Sequence, residues 1–581
     1  MDQRWVYRFG GGTADGGAGD KAILGGKGAG LAEMARLGLP VPPGFTISTA
    51  VCGYVEREGG RYPTDLDAAV EAGIAVVEAQ VGRRFGDPSD PLLFSVRSGA
   101  RASMPGMMDT VLNLGLNGET VEGLARASGN RRFAFDAYRR FIAMYADVVL
   151  ELRAASKKEQ DPFEALLDEA KRRRGTSLDT ELEAEDLEAL CTAYLDLVRQ
   201  RMGTAFPQDP RAQLWGAIGA VFRSWNNPRA LEYRRIYHIP ADWGTAVNVQ
   251  AMVFGNLGAD CATGVAFTRD PASGERRLFG EFLPNAQGED VVAGTRTPQP
   301  IGKVAARPGI SLEETMPDTY RQFQDLAARL EQHFHDMQDL EFTVERGKLW
   351  MLQTRAGKRT GLAAIRIATD MVDEGLIDDQ AALRRIEAES MEHLLAPVFD
   401  LAELRAAEVD GRLLATGLPA GPGAATGKVV FHADDAKAWA ARGEPVILVR
   451  VETSPEDVGG MEVARGILTS RGGMTSHAAL VARQRGKPCV VGCAGLAIDY
   501  EAGCLTAAGR RLNEGDWLSL DGATGRVFVG EMAPRPSEVV ETLVSGRRAA
   551  EPGGIAERYL RVLAWADAHR RLGVRANADT P

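Results

Sequence analysis

The sequence predicts an α/β protein with several domains, and three observations lead to this prediction. The chain has 581 residues, and at roughly 150 residues per domain this length predicts roughly three to four domains. Hydrophobic residues make up 45% of the chain and charged residues 25%, as in ordinary globular proteins that bury a core. Segments with the pattern of strands and glycine-rich turns alternate with segments whose apolar residues recur three and four positions apart.

The composition argues against several classes of protein. The net charge of -11 argues against a dedicated nucleic-acid binder, although local clusters of Arg and Lys can still hold anionic ligands. The six cysteines include no CxxC pair, so they predict neither a disulfide framework nor a zinc site. The amino terminus has no apolar signal region, and no apolar run reaches the roughly 18 residues of a membrane span. The sequence therefore predicts a soluble cytoplasmic protein with no nucleic-acid or membrane partner.

The first part of the chain changes pattern several times. Residues 1 to about 115 combine glycine-rich turns with short apolar runs, which predicts α/β structure with functional loops. A helical pattern covers about 130 to 235, and strand patterns cover 244 to 300. A helix is predicted from about 317 to 335, followed by two strands joined by a turn at Gly347.

The second part predicts a compact domain between two helical stretches. Residues 362 to about 410 are amphipathic and helical, whereas 412 to 530 contain β runs with one helix after Gly473. The tail from 535 to 573 is helical again, and Val574 to Asn577 has the pattern of a strand. These patterns predict domain boundaries that divide the chain into 1–361, 362–411, 412–533 and 534–581.

The segment from Gly472 to Leu480 (GGMTSHAAL) is the sharpest chemical signal. Its two glycines free the backbone to turn, and Thr475 and Ser476 are natural helix N-caps, so His477 is predicted at the first helical turn. A phosphoryl group on this ring would face unpaired backbone N–H groups and the positive end of the helix dipole. A neutral imidazole is a competent nucleophile near neutral pH. The alternative is a histidine that only caps or packs the start of a helix.

Two further segments offer cations to a phosphate. Lys27 lies in a glycine loop (LGGKGAGL), where the backbone can approach phosphates and the ammonium can neutralise them. The loop does not have the spacing of a P-loop, and a structural turn is the more common explanation of such a loop. Arg97 and Arg101 are four residues apart among small residues, and guanidinium forks suit phosphate oxygens. Surface ion pairs are the alternative for these arginines.

The acidic candidates lie further along the chain. Asp339 and Glu341 are alternate residues of a predicted strand and can project from one face, and the next strand could bring Gln353 alongside them. Two carboxylates and an amide oxygen suit Mg²⁺ bound to nucleotide phosphates, although an exposed acidic strand edge would show the same pattern. Glu281 and Glu289 are less specific acidic candidates for the nucleotide site.

Taken together and in this order, the motifs resemble the pyruvate, phosphate dikinase family along essentially the entire chain. The motif Met-Thr-Ser-His resembles this family in particular. Phosphoenolpyruvate synthases usually have Arg-Thr-Cys-His at this place, and enzyme I of the sugar phosphotransferase system has Arg-Thr-Ser-His. The segments SVRSGAR, FRSWNNPRA, NAQGEDVV and GTRTPQPI extend the resemblance. It implies an ATP-grasp nucleotide-binding region with a helical subdomain, followed by a swivelling α/β phosphohistidine domain.

The resemblance also implies a role for individual residues. His477 would carry the phosphoryl group, and Thr475 matches a regulatory phosphorylation site of some members, where a phosphate would crowd the nucleophile with like charge. The residues that would hold ATP and Mg²⁺ are Lys27, Arg97, Glu289, Asp339, Glu341, Gln353 and Arg355.

The implied reaction converts ATP, phosphate and pyruvate into AMP, pyrophosphate and phosphoenolpyruvate through pyrophosphoryl- and phosphohistidine. Transfer to pyruvate would need a carboxyl-terminal barrel, in which Arg575 matches a contact to phosphoenolpyruvate. Since the sequence ends at Pro581, just after the first strand of that barrel, we expect the barrel to be absent and the chain to be a fragment competent only for the ATP and phosphate half-reactions. A homodimer is compatible with the resemblance for a full-length protein.

Two alternatives remain at this point. One is a related dikinase with another acceptor, such as water or an antibiotic hydroxyl. The other is a catalytically silent nucleotide-binding regulatory protein that keeps the fold, although Lys27, Arg97, Glu341 and His477 are all present.

Overall fold

The computed structural model describes most of the chain and divides it into two compact units. The described residues are 4–104, 106–153, 160–176, 178–293, 296–303, 309–388, 391, 393–395, 397–546 and 549–573. The first unit comprises Met1–Thr263, Pro284–Gln287 and Glu341–Arg355, and the second comprises Gly264–Leu283, Gly288–Leu340 and Ala356–Pro581. This division does not follow the boundaries proposed from the sequence, which stay a prediction.

A six-stranded antiparallel sheet forms the centre of the first unit. The strands in this part of the chain are β1 Val6–Gly10, β2 Thr13–Ala14, β3 Gly44–Ile47, β4 Arg84–Phe85, β5 Pro91–Leu92, β6 Phe94–Ala100, β7 Thr110–Leu114 and β8 Thr245–Ala251. The sheet has the order β2-β1-β3-β8-β6-β7, while β4 and β5 form a separate pair. Every residue of β3 and β8 is buried, because these central strands are covered on both faces.

Nine helices are described in the first unit. They are α1 Lys21–Arg36, α2 Thr49–Arg57, α3 Leu66–Val81, α4 Thr120–Ser128, α5 Arg131–Val148, α6 Pro162–Arg174, α7 Ala184–Met202, α8 Pro210–Ser224 and α9 Pro228–Ile236. Helices α5 to α9 confirm the predicted helical stretch. Four of them begin after an Asn or Asp whose side chain accepts a hydrogen bond from the first turn, which satisfies an otherwise unpaired N–H group.

A second sheet follows in the middle of the chain. Its strands are β9 Ala262–Phe267, β10 Phe279–Pro284, β11 Gln299–Pro300, β12 Gln338–Glu345 and β13 Lys348–Ala356, in the order β11-β10-β9-β12-β13. The helices here are α10 Gly288–Ala293, α11 Leu312–Thr315 and α12 Pro317–Phe334. The predicted helix and the two strands joined at Gly347 are confirmed, and both Arg346 and Gly347 have positive φ in the turn. Helix α10 was predicted as part of a strand region, and the acidic residues in its first turn favour the helix instead.

The third part of the chain contains an eight-stranded sheet. Helices α13 Gly361–Asp373, α14 Asp379–Arg385 and α15 Leu401–Val409 precede it and confirm the helical pattern predicted there. The strands are β14 Leu413–Thr416, β15 Leu418–Gly421, β16 Ala424–Val430, β17 Val446–Arg450, β18 Gly466–Thr469, β19 Cys489–Val491, β20 Ala497–Asp499, β21 Cys504–Ala507, β22 Arg510–Asn513, β23 Trp517–Asp521 and β24 Arg526–Val529. The order of the large sheet is β14-β24-β23-β16-β17-β18-β19-β15, and β20 to β22 form a small sheet of their own.

The centre of this sheet is parallel and places a helix start beside the strand ends. Strands β16 to β19 pair in parallel, and the helices among them are α16 Ala433–Ala441, α17 Val458–Val463 and α18 His477–Gln484. Helix α18 connects β18 to β19, so its first residue lies on the side where the parallel strands end. In open α/β sheets this is the side where ligands bind.

The tail is helical, as predicted, with α19 Glu538–Leu543 and α20 Ile555–His569. The strand predicted at Val574 to Asn577 and the candidate Arg575 lie outside the described residues. None of the helices in the described ranges is long and apolar enough to cross a bilayer.

Candidate functional site

Lys27 is presented by a kinked helix rather than by a loop. The glycine-rich segment lies inside α1, which breaks at Gly25, where φ is 67° and ψ is 174°. A Cβ atom on Gly25 would overlap the carbonyl oxygen of Gly99, and a Cβ on Gly30 would lie 2.8 Å from the carbonyl oxygen of Thr354. The prediction of a loop is therefore corrected: these glycines let a broken helix approach the neighbouring strands closely, and the approach positions Lys27.

Lys27, Arg97, Glu341 and Arg355 form one charged cluster in the first unit. Arg97 Nη2 donates a hydrogen bond to Glu341 Oε2 at 2.7 Å, and the two side chains are 16% and 25% exposed. The charges of Lys27 and Arg355 act on Glu341 as well. Three cations around one carboxylate leave a local excess of positive charge, which is suited to a polyphosphate.

The cluster changes the pKa of both of its central groups. Burial lowers the pKa of Lys27 to about 7. The positive charges of Arg97 and Arg355 lower this pKa as well, whereas the negative charge of Glu341 raises it. Burial alone would raise the pKa of Glu341, but the charges of Arg97, Lys27 and Arg355 hold it at about 2. Glu341 is therefore a permanent carboxylate at neutral pH, whereas Lys27 titrates there.

The other predicted nucleotide residues have different surroundings. Arg101 lies at the end of β6 and places its guanidinium 4.6 Å from the ring centre of Trp243, where it can stack. Gln353 is buried on β13, two residues before Arg355, whose Nη1 lies 3.4 Å from Ser103 Oγ. Gln353 and Arg355 alternate on one strand and so share a face.

Glu289 and Asp339 belong to the second unit. Glu289 lies in the first turn of α10, and Asp339 is 1% exposed on β12. Their roles with ATP and Mg²⁺ stay predictions. Among the residues that the structure describes, no three His, Cys, Asp or Glu side chains are grouped so that they could hold a metal ion.

His477 is the first residue of α18, as the sequence predicts. Its Nδ1 lies 3.1 Å from Thr453 Oγ1, whereas no described residue offers a hydrogen bond to its buried Nε2. Burial lowers the pKa of His477 to about 4, which Asp457 opposes and Lys358 reinforces. The imidazole is thus neutral at pH 7, with Nδ1 beside a hydroxyl and Nε2 buried without a hydrogen-bond partner among the described residues.

The start of α18 leaves a second polar atom near this ring without a partner. Ser476 is the N-cap residue, but its side chain makes no capping hydrogen bond, and its buried Oγ has no partner among the described residues. The first N–H groups of a helix also point outward without an intrahelical partner. A phosphoryl group on Nε2 of His477 would supply acceptors for such donors.

Glu281 and Thr475 are brought together in the second unit. Thr475 is buried, and its Oγ1 donates to Glu281 Oε2 at 3.4 Å. Burial raises the pKa of Glu281, although the hydrogen bonds that it accepts from Met474 and Thr475 act to lower it. The structure therefore places Glu281 against the segment before His477, and its predicted contact with a nucleotide stays a prediction.

Sequence reasoning missed Thr453, Asp457 and Lys358, which act on His477 from other parts of the chain. Ser454 and Asp457 form a capping box, and the spacing Ser-x-x-Asp could have indicated a helical turn there. No local signal shows that the preceding hydroxyl of Thr453 contacts the histidine, because this contact depends on the order of the parallel strands.

Comparisons with known proteins match both parts of the chain. The family model described as the AMP/ATP-binding domain of pyruvate phosphate dikinase matches residues 21–61, 61–317 and 303–376. The model of the mobile domain of PEP-utilising enzymes matches residues 442–525. These two matches include the segment that carries Lys27 and the segment that carries His477.

Several curated relatives are similar over the whole chain. The pyruvate, phosphate dikinase of Clostridium symbiosum is 52% identical over 579 residues, which cover 100% of this chain and 62% of the relative. That of Rhizobium meliloti (strain 1021) is 52% identical over 584 residues, with the same coverage of 100% and 62%. The chloroplastic enzyme of Flaveria pringlei is 50% identical over 579 residues, covering 99% of this chain and 57% of the relative.

The chain thus spans about three fifths of the length of these relatives. The matches give no support to the expectation that the pyruvate-binding barrel is absent, and the mobile domain of a PEP-utilising enzyme is among the regions matched. The nucleotide-binding model spans more than half of the chain, and the resemblance stated from the sequence motifs is confirmed at the level of the family. This chain belongs to the pyruvate, phosphate dikinase family.

Proposed function

We propose that this chain catalyses the nucleotide and phosphate steps of a pyruvate, phosphate dikinase, with His477 as the phosphoryl carrier. The observation that carries the proposal is the state of the His477 ring. Its Nδ1 is held by Thr453, its Nε2 has no partner among the described residues, and its lowered pKa of about 4 keeps the imidazole neutral. A neutral, oriented imidazole with one free nitrogen is an activated nucleophile.

The tautomer follows from this arrangement. If the Nδ1–H donates to Thr453 Oγ1, the lone pair stays on Nε2, which then attacks the β-phosphorus of ATP. The new Nε2–P bond forms as the bond between the β-phosphorus and the oxygen bridging to the α-phosphorus breaks, and AMP leaves with that electron pair. The product is a pyrophosphoryl-histidine.

Inorganic phosphate is the proposed second acceptor. An oxygen of phosphate attacks the terminal phosphorus of the pyrophosphoryl group, and the bond between that phosphorus and the bridging oxygen breaks. Pyrophosphate leaves, and a phosphohistidine remains on His477. Transfer of the phosphoryl group from His477 to pyruvate is the last step of the proposed reaction. Arg575 is proposed to contact the phosphate of phosphoenolpyruvate in that step.

The charged cluster of the first unit is proposed to hold the nucleotide. Lys27, Arg97 and Arg355 would neutralise phosphate oxygens, and such preorganised charge lowers the barrier to phosphoryl transfer by positioning and electrostatics. The remaining nucleotide contacts proposed from the sequence motifs are Arg101, Glu281, Glu289 and Gln353. An ATP-grasp arrangement for this region and a swivelling motion of the phosphohistidine domain are part of the same proposal.

Mg²⁺ is the proposed metal cofactor, and Glu341 fits it because its carboxylate stays ionised at neutral pH. A Mg²⁺ ion at a nucleotide site is commonly held by one or two carboxylates together with phosphate oxygens, and Glu341 and Asp339 are the ligands proposed from the sequence. When bound, the ion would offset the charge of the transferring group. Thr475 is proposed as a regulatory phosphorylation site.

The test is incubation with Mg²⁺, phosphate and ATP labelled at its β-phosphorus, scoring acid-labile label on the protein and release of AMP. Wild-type protein and the His432→Ala control should be labelled, because His432 is an exposed histidine of the same unit, whereas His477→Ala should not. Phosphate-dependent formation of pyrophosphate would separate this activity from a dikinase that uses water or an antibiotic. Nucleotide binding without any label on wild type would refute the proposal in favour of a silent binding protein.

A further inference from the structure

Glu281 reaches from β10 to the segment that precedes His477. Its Oε1 accepts a hydrogen bond from the backbone N–H of Met474 at 3.3 Å, and its Oε2 accepts one from Thr475 Oγ1 at 3.4 Å. One carboxylate therefore contacts two consecutive residues of this segment, through the main chain of the first and the side chain of the second.

Gly473 makes this approach possible. A Cβ atom at this position would overlap Glu281 Oε2 and would lie 2.8 Å from Oε1. The residue preceding Met474 must therefore lack a side chain while the carboxylate is in place. The need is steric, because Gly473 is not among the glycines with positive φ.

Arg483 contacts the carbonyl group of Met474, the residue whose N–H donates to Glu281. It is 2% exposed and lies on α18, and its Nη2 donates to the carbonyl oxygen of Met474 at 2.6 Å. Burial lowers the pKa of Arg483 to about 10, so the guanidinium is still a cation at neutral pH. The N–H of Met474 thus contacts an acid and its C=O contacts a buried cation.

We propose that Glu281 and Arg483 form a clamp on Met474 that positions His477 for phosphoryl transfer. Both are positioning residues, since they act through the backbone of the segment and not on the reacting atoms. Thr453 orients the ring, and the clamp fixes the backbone from which the ring projects three residues later. The inference rests on the proposed role of His477 as the phosphoryl carrier.

The expected effect is on the rate of the chemical step. A nucleophile displaced by about 1 Å can lose on the order of a hundredfold in rate, so Glu281→Ala should slow labelling of His477 about 10- to 100-fold at saturating ATP. If Glu281 acts through its contacts with Met474 and Thr475, the Kd for ATP should stay within about twofold of the wild-type value, whereas loss of the nucleotide contact proposed for Glu281 from the sequence would raise it. Glu281→Gln should recover part of the rate, since its amide oxygen can still accept from Met474.

A double-mutant cycle tests the contact itself. Gly473→Ala should slow labelling because its methyl group displaces Glu281, and in a Glu281→Ala background the same methyl group should cost much less. Such coupling is expected only of residues in contact. Glu444→Gln is the matched control, because Glu444 pairs with Lys428 elsewhere in the same unit, and it should label at the wild-type rate.

Two results would overturn the clamp. Effects of Glu281→Ala and Gly473→Ala that simply add would mean that the contact does not matter. A weaker Kd for ATP at an unchanged labelling rate would mean that Glu281 is a nucleotide contact only.

Hydrogen–deuterium exchange of the peptide that contains Met474 and Thr475 tests the clamp without any activity. Glu281→Ala and Arg483→Lys should both accelerate exchange of this peptide, and Glu444→Gln should not. Unchanged exchange would refute the clamp even if labelling were lost. If wild-type protein is not labelled at all, the proposed function fails, while the exchange result still decides whether the clamp exists.

Discussion

Binding of ATP should raise the pKa of Lys27 and draw a proton from solution near neutral pH. In the nucleotide-free protein this pKa is lowered to about 7, first by burial and then by the charges of Arg97 and Arg355. A triphosphate beside the ammonium should return the pKa toward its ordinary value of about 10.4. Lys27 should then be protonated in the complex throughout the range from pH 6 to pH 8.

The size of the effect follows from the fraction of Lys27 that is unprotonated before binding. With a pKa of about 7, the lysine should take up about 0.1 proton at pH 6, about 0.5 at pH 7 and about 0.9 at pH 8. Uptake therefore rises with pH across this range. A lysine with an ordinary pKa would take up no proton at any of these values.

Calorimetry in buffers of different ionisation enthalpy measures this proton count. The titrations should use His477→Ala protein, so that no phosphoryl transfer contributes heat, and should avoid phosphate buffers. The comparison is with a His477→Ala/Lys27→Met double variant, in which the ionisation of ATP itself is unchanged and cancels in the difference. Equal proton counts for the two proteins from pH 6 to pH 8 would refute the assignment of Lys27 to the nucleotide.

Glu341→Gln provides a second check on the same cluster. The carboxylate of Glu341 is the one group of the cluster that raises the pKa of Lys27. Its removal should lower that pKa further, so uptake at pH 7 should exceed the wild-type value whenever binding can still be measured.

The lowered pKa of Lys27 also predicts a change in stability. Since the folded pKa of about 7 lies below the unfolded value of about 10.4, the unfolded chain binds more protons between these values, and stability should rise with pH across that window. Lys27→Met should therefore stabilise the free protein most at pH 6, by about 1 to 3 kcal/mol, and the gain should shrink toward pH 10. Thermal unfolding measures it, and a variant less stable than wild type at pH 6 would contradict the reasoning.

Three further predictions concern the second unit. The pKa of His477 is lowered to about 4, so protonation of the imidazole should not reduce labelling between pH 8 and pH 5.5. A loss of labelling with a midpoint near pH 6.5 would contradict a neutral, buried ring. Thr453→Val should slow labelling about 2- to 10-fold, the equivalent of one neutral hydrogen bond, whereas Thr453→Ser should retain the rate; equal rates for all three proteins would contradict an orienting role. Arg269 is fully buried, and its Nη2 lies 2.8 Å from Glu331 Oε1 and 2.6 Å from Glu374 Oε2. Arg269→Met should lower the free energy of unfolding by about 3 to 5 kcal/mol, because the two carboxylates lose their partner. A free energy from urea unfolding within about 1 kcal/mol of the wild-type value would refute this.

The features that the sequence predicted correctly have local causes. The helices between 130 and 235 show apolar spacing and begin at Asn and Asp caps, the hairpin at Gly347 is a single turn, and His477 follows a serine at a helix start. The residues that form each of these signals lie within a few positions of one another, so the local sequence is enough to predict the helix, helix start or turn. The family resemblance rests on equally local motifs.

The features that the sequence did not predict join distant residues. Arg97 and Glu341 are 244 positions apart, and Thr475 lies 194 positions from Glu281. The kink at Gly25 was taken for a loop, because glycine in a close helix contact and glycine in a turn have the same local pattern.

The sequence by itself determined most of the helical and strand stretches and the family, and it singled out His477 as the proposed phosphoryl carrier, because these follow from residue types at fixed local spacing. Only the tertiary structure decided that Lys27 has a pKa of about 7, that Glu341 keeps its charge, and that the Nε2 of His477 has no hydrogen-bond partner among the described residues. The physical reason is that pKa and hydrogen bonding depend on burial and on charges that are near in space. Those neighbours are brought together by the packing of helices and strands from distant parts of the chain.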